Sequence, residues 1–299
     1  MSPEARVRRR SRAVRGLPAV LVWTAALLAP AACSSTPSSS GASSGISGTA
    51  VAASPSQAQT WSPGRLERAR AAHRPGVGHN ARPTQGNLRI GAIFDHDSSG
   101  DHFCSGSVVD SAGRNLVITA AHCIHGGKGQ GFKSDVVFVP GYRSGQEPNG
   151  QWQVASLIVD PRWADSSDPD LDVAFLVLRK NDGRNIEDVL GGNRLGIDTG
   201  FDHRVRITGY PSSADAPVTC VNRTSRQSST QTRIACTGFP GGTSGSPWVT
   251  AVDPATHTGT VIGVIGGYQE GGDTDSVSYS AYFGSDVQAL YRRAEAAGG

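Results

Sequence analysis

An all-β fold closed by a single C-terminal helix is predicted by three features of the 299-residue sequence. From residue 88 onward, short runs of β-branched and apolar residues recur; clusters of Gly, Asp, Asn and Pro separate them; and no helical apolar period lies between them. Many short strands with turn signals between them read as a barrel or sandwich, because a parallel sheet would need helical crossovers.

The runs follow in order: "LRIGAIF" (88–94), "FCSGSVV" (103–109), "LVITAA" (116–121), "DVVFVP" (135–140), "WQVASLIV" (152–159) and "DVAFLVL" (172–178), then "RVRITGY" (204–210), "PVTCV" (217–221), "TRIAC" (232–236), "SPWVT" (246–250) and "TVIGVIGG" (260–267). The one helix is "SDVQALYRRAEAA" (285–297), with a Ser285-Asp286 cap signal and apolar residues at Val287, Leu290 and Tyr291.

Before residue 87 the chain reads differently. An arginine-rich start precedes the uncharged "GLPAVLVWTAALLAPAA" (16–32), shorter than the roughly 20 residues of a spanning helix, so residues 1–33 are expected to be an export signal. Ala29-Pro30-Ala31 fits small-x-small cleavage, whereas Ala31-Ala32-Cys33 is similar to the end of a bacterial lipoprotein signal and makes Cys33 a lipidation candidate; Pro30 departs from that pattern. Residues 34–60 carry no charge and almost nothing to bury, and "RLERARAAH" (65–73) offers two turns of helix before "RPGVGHNARPTQGN" breaks it. Residues 34–86 are therefore expected to be a disordered linker or a pro-segment, and 87–299 the main domain.

Charge and cysteines narrow the function classes. Residues 87–299 hold 17 Lys plus Arg against 23 Asp plus Glu, a net −6, which gives no electrostatic support for nucleic-acid binding. With Cys33 in the leader, Cys104, Cys123, Cys220 and Cys236 remain, an even number in a chain bound for an oxidising compartment. No pair has C-x-x-C spacing, so no metal site is expected.

Three stretches then stand out: "LVITAAHC" ending at Cys123, "DPDLDVAFLVL" around Asp172, and "GGTSGSPW" (241–248) around Ser244. A serine hydroxyl is a poor nucleophile at neutral pH; it needs a base, and the base needs a group that fixes its tautomer. His122 suits the base, since imidazole titrates near working pH. Asp172, at the head of an apolar strand, suits the orienter, because a carboxylate there is costly without a partner. The glycines let the N–H groups of Gly242 and Ser244 converge on an oxyanion. Asp170 is the rival third member, but the apolar strand begins directly after Asp172. Each motif alone has a plainer reading: a turn at 241–246, a core histidine at 122, structural hydroxyls at Ser105 and Ser246, and an acidic turn or calcium loop at Asp165, Asp168 and Asp170. The other histidines, His73, His79, His96, His102, His125, His203 and His257, lie in polar or turn-like segments and are expected on the surface.

Together the motifs resemble the trypsin-like serine proteases. Thr119-Ala120-Ala121-His122-Cys123, Asp172-Val173-Ala174-Phe175 and Gly242-Thr243-Ser244-Gly245-Ser246-Pro247 fall in the chymotrypsin-type order, and the Ser-Gly-Ser-Pro ending is most similar to the bacterial V8-like, glutamyl endopeptidase branch. The resemblance spans roughly residues 87–290 and implies two six-stranded antiparallel β-barrels with the site between them. It implies bridges Cys104–Cys123 and Cys220–Cys236, the second closing a hairpin before the serine. It departs at Thr243, where the digestive enzymes carry an aspartate that pairs with a newly cut N-terminus, and at Ile265, where glutamate-specific members carry a histidine. Phe239, Ile265, Gly266 and Gly267 are expected to line the primary substrate pocket; with no cation or carboxylate evident there, the expected preference is for small or apolar side chains. The function expected is that of an exported, monomeric serine endopeptidase acting on polypeptides without a cofactor. An esterase or acyltransferase on the same triad, or a silent protease-fold binding protein, are the alternatives.

Overall fold

The computed structural model describes residues 75–299, apart from residues 98, 99 and 215. The expected leader, Cys33 and the helical turns at 65–73 lie outside the described residues.

The first barrel is closed, in the order β2 (Ile90–Asp97), β3 (Gly100–Val109), β4 (Leu116–Thr119), β7 (Ala174–Leu178), β6 (Trp152–Val159) and β5 (Ser134–Pro140). All of its pairs are antiparallel, with Ile93 opposite Cys104 and Phe138 opposite Trp152. Its interior is filled by alternate residues of these strands, among them Ile93, Val108, Val117, Phe138, Trp152 and Leu176.

The second sheet runs β14 (Val277–Ala281), β11 (Gln231–Ala235), β10 (Val218–Arg226), β9 (Arg204–Gly209), β12 (Pro247–Thr250) and β13 (Thr260–Val264). Its two ends meet, since Val264 N donates to Ser280 Oγ (3.0 Å) and Gly266 N to the Tyr279 carbonyl (3.0 Å). Two short strands flank it, β1 (His79–Asn80) on β10 and β8 (Arg194–Leu195) on β13. Val205, Ile207, Cys220, Ile234, Trp248 and Ile262 form its core.

A third apolar cluster joins the halves. Leu116, Ile118 and Phe175 of the first barrel meet Val249 and Val261 of the second and the final helix, α4 (Ser285–Gly298), which follows three short helices, α1 (Gln85–Leu88), α2 (Pro161–Ser166) and α3 (Ile186–Leu190). Helix α4 buries Val287, Leu290 and Ala294, one stripe at helical spacing. Its cap differs from expectation: Gly284 holds the N-cap position without a side-chain bond, and Ser285 is already helical.

Two further differences concern the fold's edges. Contacts begin before residue 87: Gly76 N donates to the Ala235 carbonyl (2.9 Å), Thr237 N to the Gly76 carbonyl (2.9 Å), and His79 pairs with Thr219. Residues 76–86 thus belong to the domain rather than to the expected linker. Strand β14, "VSYSA", alternates with the opposite sense to a core strand: Val277 and Tyr279 are half-buried, and the inward positions are Ser278 and Ser280, both buried; the Ser280 hydroxyl accepts from Val264 N and donates to the Ala281 carbonyl (2.8 Å).

Candidate active site

After β4 the chain turns at Ala120 and Ala121, both fully buried, and His125 N donates back to the Ala121 carbonyl (2.9 Å). The Cys104–Cys123 disulfide ties this turn to β3. His122 sits between, its side chain 15 % exposed and facing the cleft, while Asp172 is fully buried. A 3-10 turn at Pro169–Leu171, capped by Asp168 Oδ1 accepting from Asp170 N (3.0 Å), delivers Asp172 to this point.

The Asp172 carboxylate has three donors. Oδ2 accepts from His122 Nδ1 (2.8 Å) and Gly267 N (2.8 Å), and Oδ1 from His122 N (2.9 Å). Burial by itself would raise the Asp172 pKa, but the imidazole's charge and hydrogen bond, with the two backbone donors, outweigh it and hold the group below the ordinary carboxylate value. Burial would likewise lower the His122 pKa; the Asp172 charge and hydrogen bond, helped by Glu270, outweigh it and leave the imidazole raised. With Nδ1 donating to the carboxylate, Nε2 is the position free to accept a proton.

Ser244 lies on the loop between β11 and β12. Thr243 N donates to the Pro240 carbonyl (3.2 Å) and Gly242 has φ +90°, a type II turn that needs glycine at its third position. A Cβ at Gly242 would lie 2.7 Å from Ser212 N, and one at Gly245 (φ +79°) would lie 2.1 Å from the Ser105 carbonyl oxygen. In that turn the N–H groups of Gly242 and Ser244 donate to no acceptor among the described residues. Thr243, 1 % exposed, donates its hydroxyl to the Pro240 carbonyl (2.6 Å), and Ser246 Oγ closes the far side on the Thr243 carbonyl (2.6 Å). The turn is thus held from within, at the position where the digestive enzymes use an ion pair.

Two residues that the sequence patterns did not single out as site residues hold these pieces together. Buried Ser105, read from sequence only as a structural hydroxyl, donates its amide to the Ser244 carbonyl (2.7 Å) and its hydroxyl to the Gly242 carbonyl (3.2 Å), while Tyr210 N donates to that hydroxyl (2.9 Å). Buried Gln231 donates Nε2 to Asp170 Oδ1 (2.6 Å) and the Pro169 carbonyl (3.1 Å), and its Oε1 accepts from Tyr268 N (3.0 Å). The rival Asp170 is therefore engaged by Gln231, and only Asp172 reaches His122. Neither residue belongs to a motif, so no local pattern marks them.

Beside Ser244 lies a cavity of about 360 Å³. Phe239 and Ile265 line it, whereas Gly266 and Gly267 lie against Asp172, which a Cβ at Gly266 would approach to 3.0 Å. Glu270, Asp273 and Asp275 line the cavity, so the expectation of a pocket without carboxylates is corrected. His125 is also corrected: it is buried, packs edge-on against Phe132 (4.7 Å), and burial lowers its pKa. The sulfurs of Cys104 and Cys123 lie near the His122 ring, but as a disulfide they are not free thiolate ligands. Cys220 and Cys236 form the second disulfide, at the base of the β10–β11 hairpin.

The trypsin-like peptidase domain model matches residues 104–264, more than half of the chain. The chain belongs to the trypsin-like peptidases. Among solved structures, the protease Anisep from Arthrobacter nicotinovorans is 27 % identical, covering 74 % of this chain and 100 % of its own, with a TM-score of 0.65. The thermostable serine protease AL20 from an extremophilic microorganism is 28 % identical over 71 % of this chain and 99 % of its own, with a TM-score of 0.65. A Glu endopeptidase shares the chymotrypsin-like fold at 14 % identity, 75 % and 98 % coverage and a TM-score of 0.60. Among curated proteins none matches the sequence. This trypsin-like peptidase is a serine endopeptidase, a hydrolase whose substrates are polypeptides. The two disulfides fit an extracellular protein, and among the described residues no helix is long and apolar enough to cross a membrane.

Proposed function

We propose that the protein is an exported endopeptidase in which Ser244 is the nucleophile, His122 the general base and Asp172 the group that orients it. The observation that carries this reading is the fully buried Asp172 carboxylate, with His122 Nδ1 at 2.8 Å and His122 N at 2.9 Å. Asp172 fixes the tautomer in which Nε2 takes the Ser244 proton and later returns it to the leaving amine. The serine oxygen bonds to the scissile carbonyl carbon, the carbonyl electrons move to oxygen, and the N–H groups of Gly242 and Ser244 meet that charge. Collapse expels the amine and leaves an ester on Ser244; water, deprotonated by His122, releases the acid. Catalytic serine–histidine hydrogen bonds are commonly long until substrate is bound.

Export follows from the signal-like residues 1–33, with the protein a monomer outside the cell and Cys33, when lipidated, holding it to the membrane surface. Residues 34–75 act as the spacer. The test is fluorophosphonate labelling of the full chain beside Ser244→Ala and His122→Ala, with matched amide and ester substrates. Labelling and amide turnover confined to the wild type are expected. A folded wild type that takes no label refutes the triad, and turnover of esters without amides assigns the site to an esterase.

A further inference from the structure

The cavity beside Ser244 is lined, along with Phe239 and Ile265, by the segment 269–275, which no motif in the sequence marks. It bends through two consecutive left-handed non-glycine residues, Gln269 (φ 53°) and Glu270 (φ 51°), before Gly271 and Gly272 (φ 107° and 130°). It is then fixed at both ends. Tyr268 N donates to Gln231, and Phe239 N donates to the Asp275 carbonyl (3.0 Å). Gln269 Nε2 donates to the Asp273 carboxylate. The bend places Glu270, Asp273 and Asp275 on the lining, and no lysine or arginine of the described residues lines the cavity. Glu270 also acts through its charge on His122, raising the imidazole pKa.

Resting on the reading of Ser244 as nucleophile, we infer that this cavity receives the side chain preceding the scissile bond and that Asp273 and Asp275, together with Glu270, select arginine or lysine there. Phe239 and Ile265 suit the methylene stem of such a side chain, whose charged end then meets the carboxylates. A glutamate would be repelled by the same groups, and an alanine or leucine would make no charge contact with them. Each solvent-reached ion pair is worth up to roughly fivefold in binding, so two acting together give a preference on the order of tenfold, with a ceiling of about 25-fold.

The experiment is a series of otherwise identical peptide amides with Arg, Lys, Ala, Leu, Phe or Glu before the scissile bond, cleaved by the full chain with active sites counted by fluorophosphonate. The Arg and Lys peptides are expected to exceed all others by about tenfold in kcat/KM, with a margin that narrows as salt rises. The combined change Asp273→Asn and Asp275→Asn is expected to reduce that margin to a few-fold. Labelled enzyme that cleaves the Ala, Leu, Phe or Glu peptide as fast as the basic ones overturns the pocket assignment and leaves the triad standing. So does a basic preference that is indifferent to salt and survives both substitutions. Absence of labelling in the wild type overturns the triad, and the pocket assignment falls with it.

Discussion

Replacing Gln231 with alanine tests whether Asp172, the aspartate of the proposed triad, and the wall of the proposed substrate cavity are held by one side chain. The amide is 5 % exposed and makes three hydrogen bonds: to Asp170 Oδ1 at 2.6 Å, to the Pro169 carbonyl at 3.1 Å, and from Tyr268 N at 3.0 Å. A neutral bond contributes about 1 kcal/mol and one to a carboxylate roughly 1.5–3 kcal/mol. Water can replace part of this, since Pro169 is exposed and Asp170 half-buried. The expected loss of stability is therefore about 2–3 kcal/mol, measured by denaturant titration. The kinetic effect should exceed that of a purely structural change, because Asp172 follows two residues after Asp170 and Gly267 N, a donor to Asp172, precedes Tyr268. Displacement of a positioned group by about 1 Å is enough for roughly 100-fold. We expect kcat to fall about 10- to 100-fold on ester and amide substrates alike, with KM rising for amides whose side chain enters the cavity. Gln231→Glu should be worse than alanine, since it sets a carboxylate against Asp170. An alanine variant within about 0.5 kcal/mol of wild-type stability and within twofold in kcat would refute this positioning role.

Asp172→Asn keeps the shape of the group but removes the charge and favours the wrong imidazole tautomer; kcat is expected to fall about 10⁴-fold. Because Asp172 is what raises His122 against burial, the acid limb of the wild-type pH–rate profile should lie above the ordinary histidine value of about 6.5, and residual activity of the variant should show it lower. Glu187, buried and 3.2 Å from Ser111 N, is pushed up to about 7 by burial and then by its hydrogen bond with Asp110. Folding therefore takes up a proton between about 4.5 and 7, so its contribution is full below that window and lost as pH rises through it. Glu187→Gln should raise stability at pH 8 by about 2 kcal/mol and not at pH 4, read from denaturation midpoints. Removing the Cys220–Cys236 bridge with paired serines should cost about 3 kcal/mol, and urea titration of the oxidised proteins measures it.

The parts legible in the sequence are those whose chemistry is local. The glycines at 242 and 245 could be read because each stands in a turn that excludes a Cβ, and His122 and Asp172 because each borders an apolar strand. Strand β14 was not legible, since its inward side chains are serines; the Ser280 hydroxyl accepts from Val264 N, 16 residues away, and donates to the adjacent Ala281 carbonyl. The same holds for Gln231, whose three bonds reach residues 37 to 62 positions distant. The acidic lining escaped for a different reason. "YQEGGDTD" has the composition of any solvated turn, and only the run of positive φ angles folds it back against Ser244.

Both disulfides stay within one barrel: Cys104–Cys123 in the first, Cys220–Cys236 in the second. His122 and Asp172 are carried by the first barrel and Ser244 by the second. Among the described residues no disulfide joins the two halves; the chain itself crosses between them after β1, again near residues 179–203, and once more before helix α4. Their seam otherwise rests on apolar contacts, on the bonds of Ser105 and Gln231 and on the Gly267–Asp172 bond, none of them covalent. Turnover thus reports the seam rather than the barrels, and on warming it should fade while each half still keeps its strands.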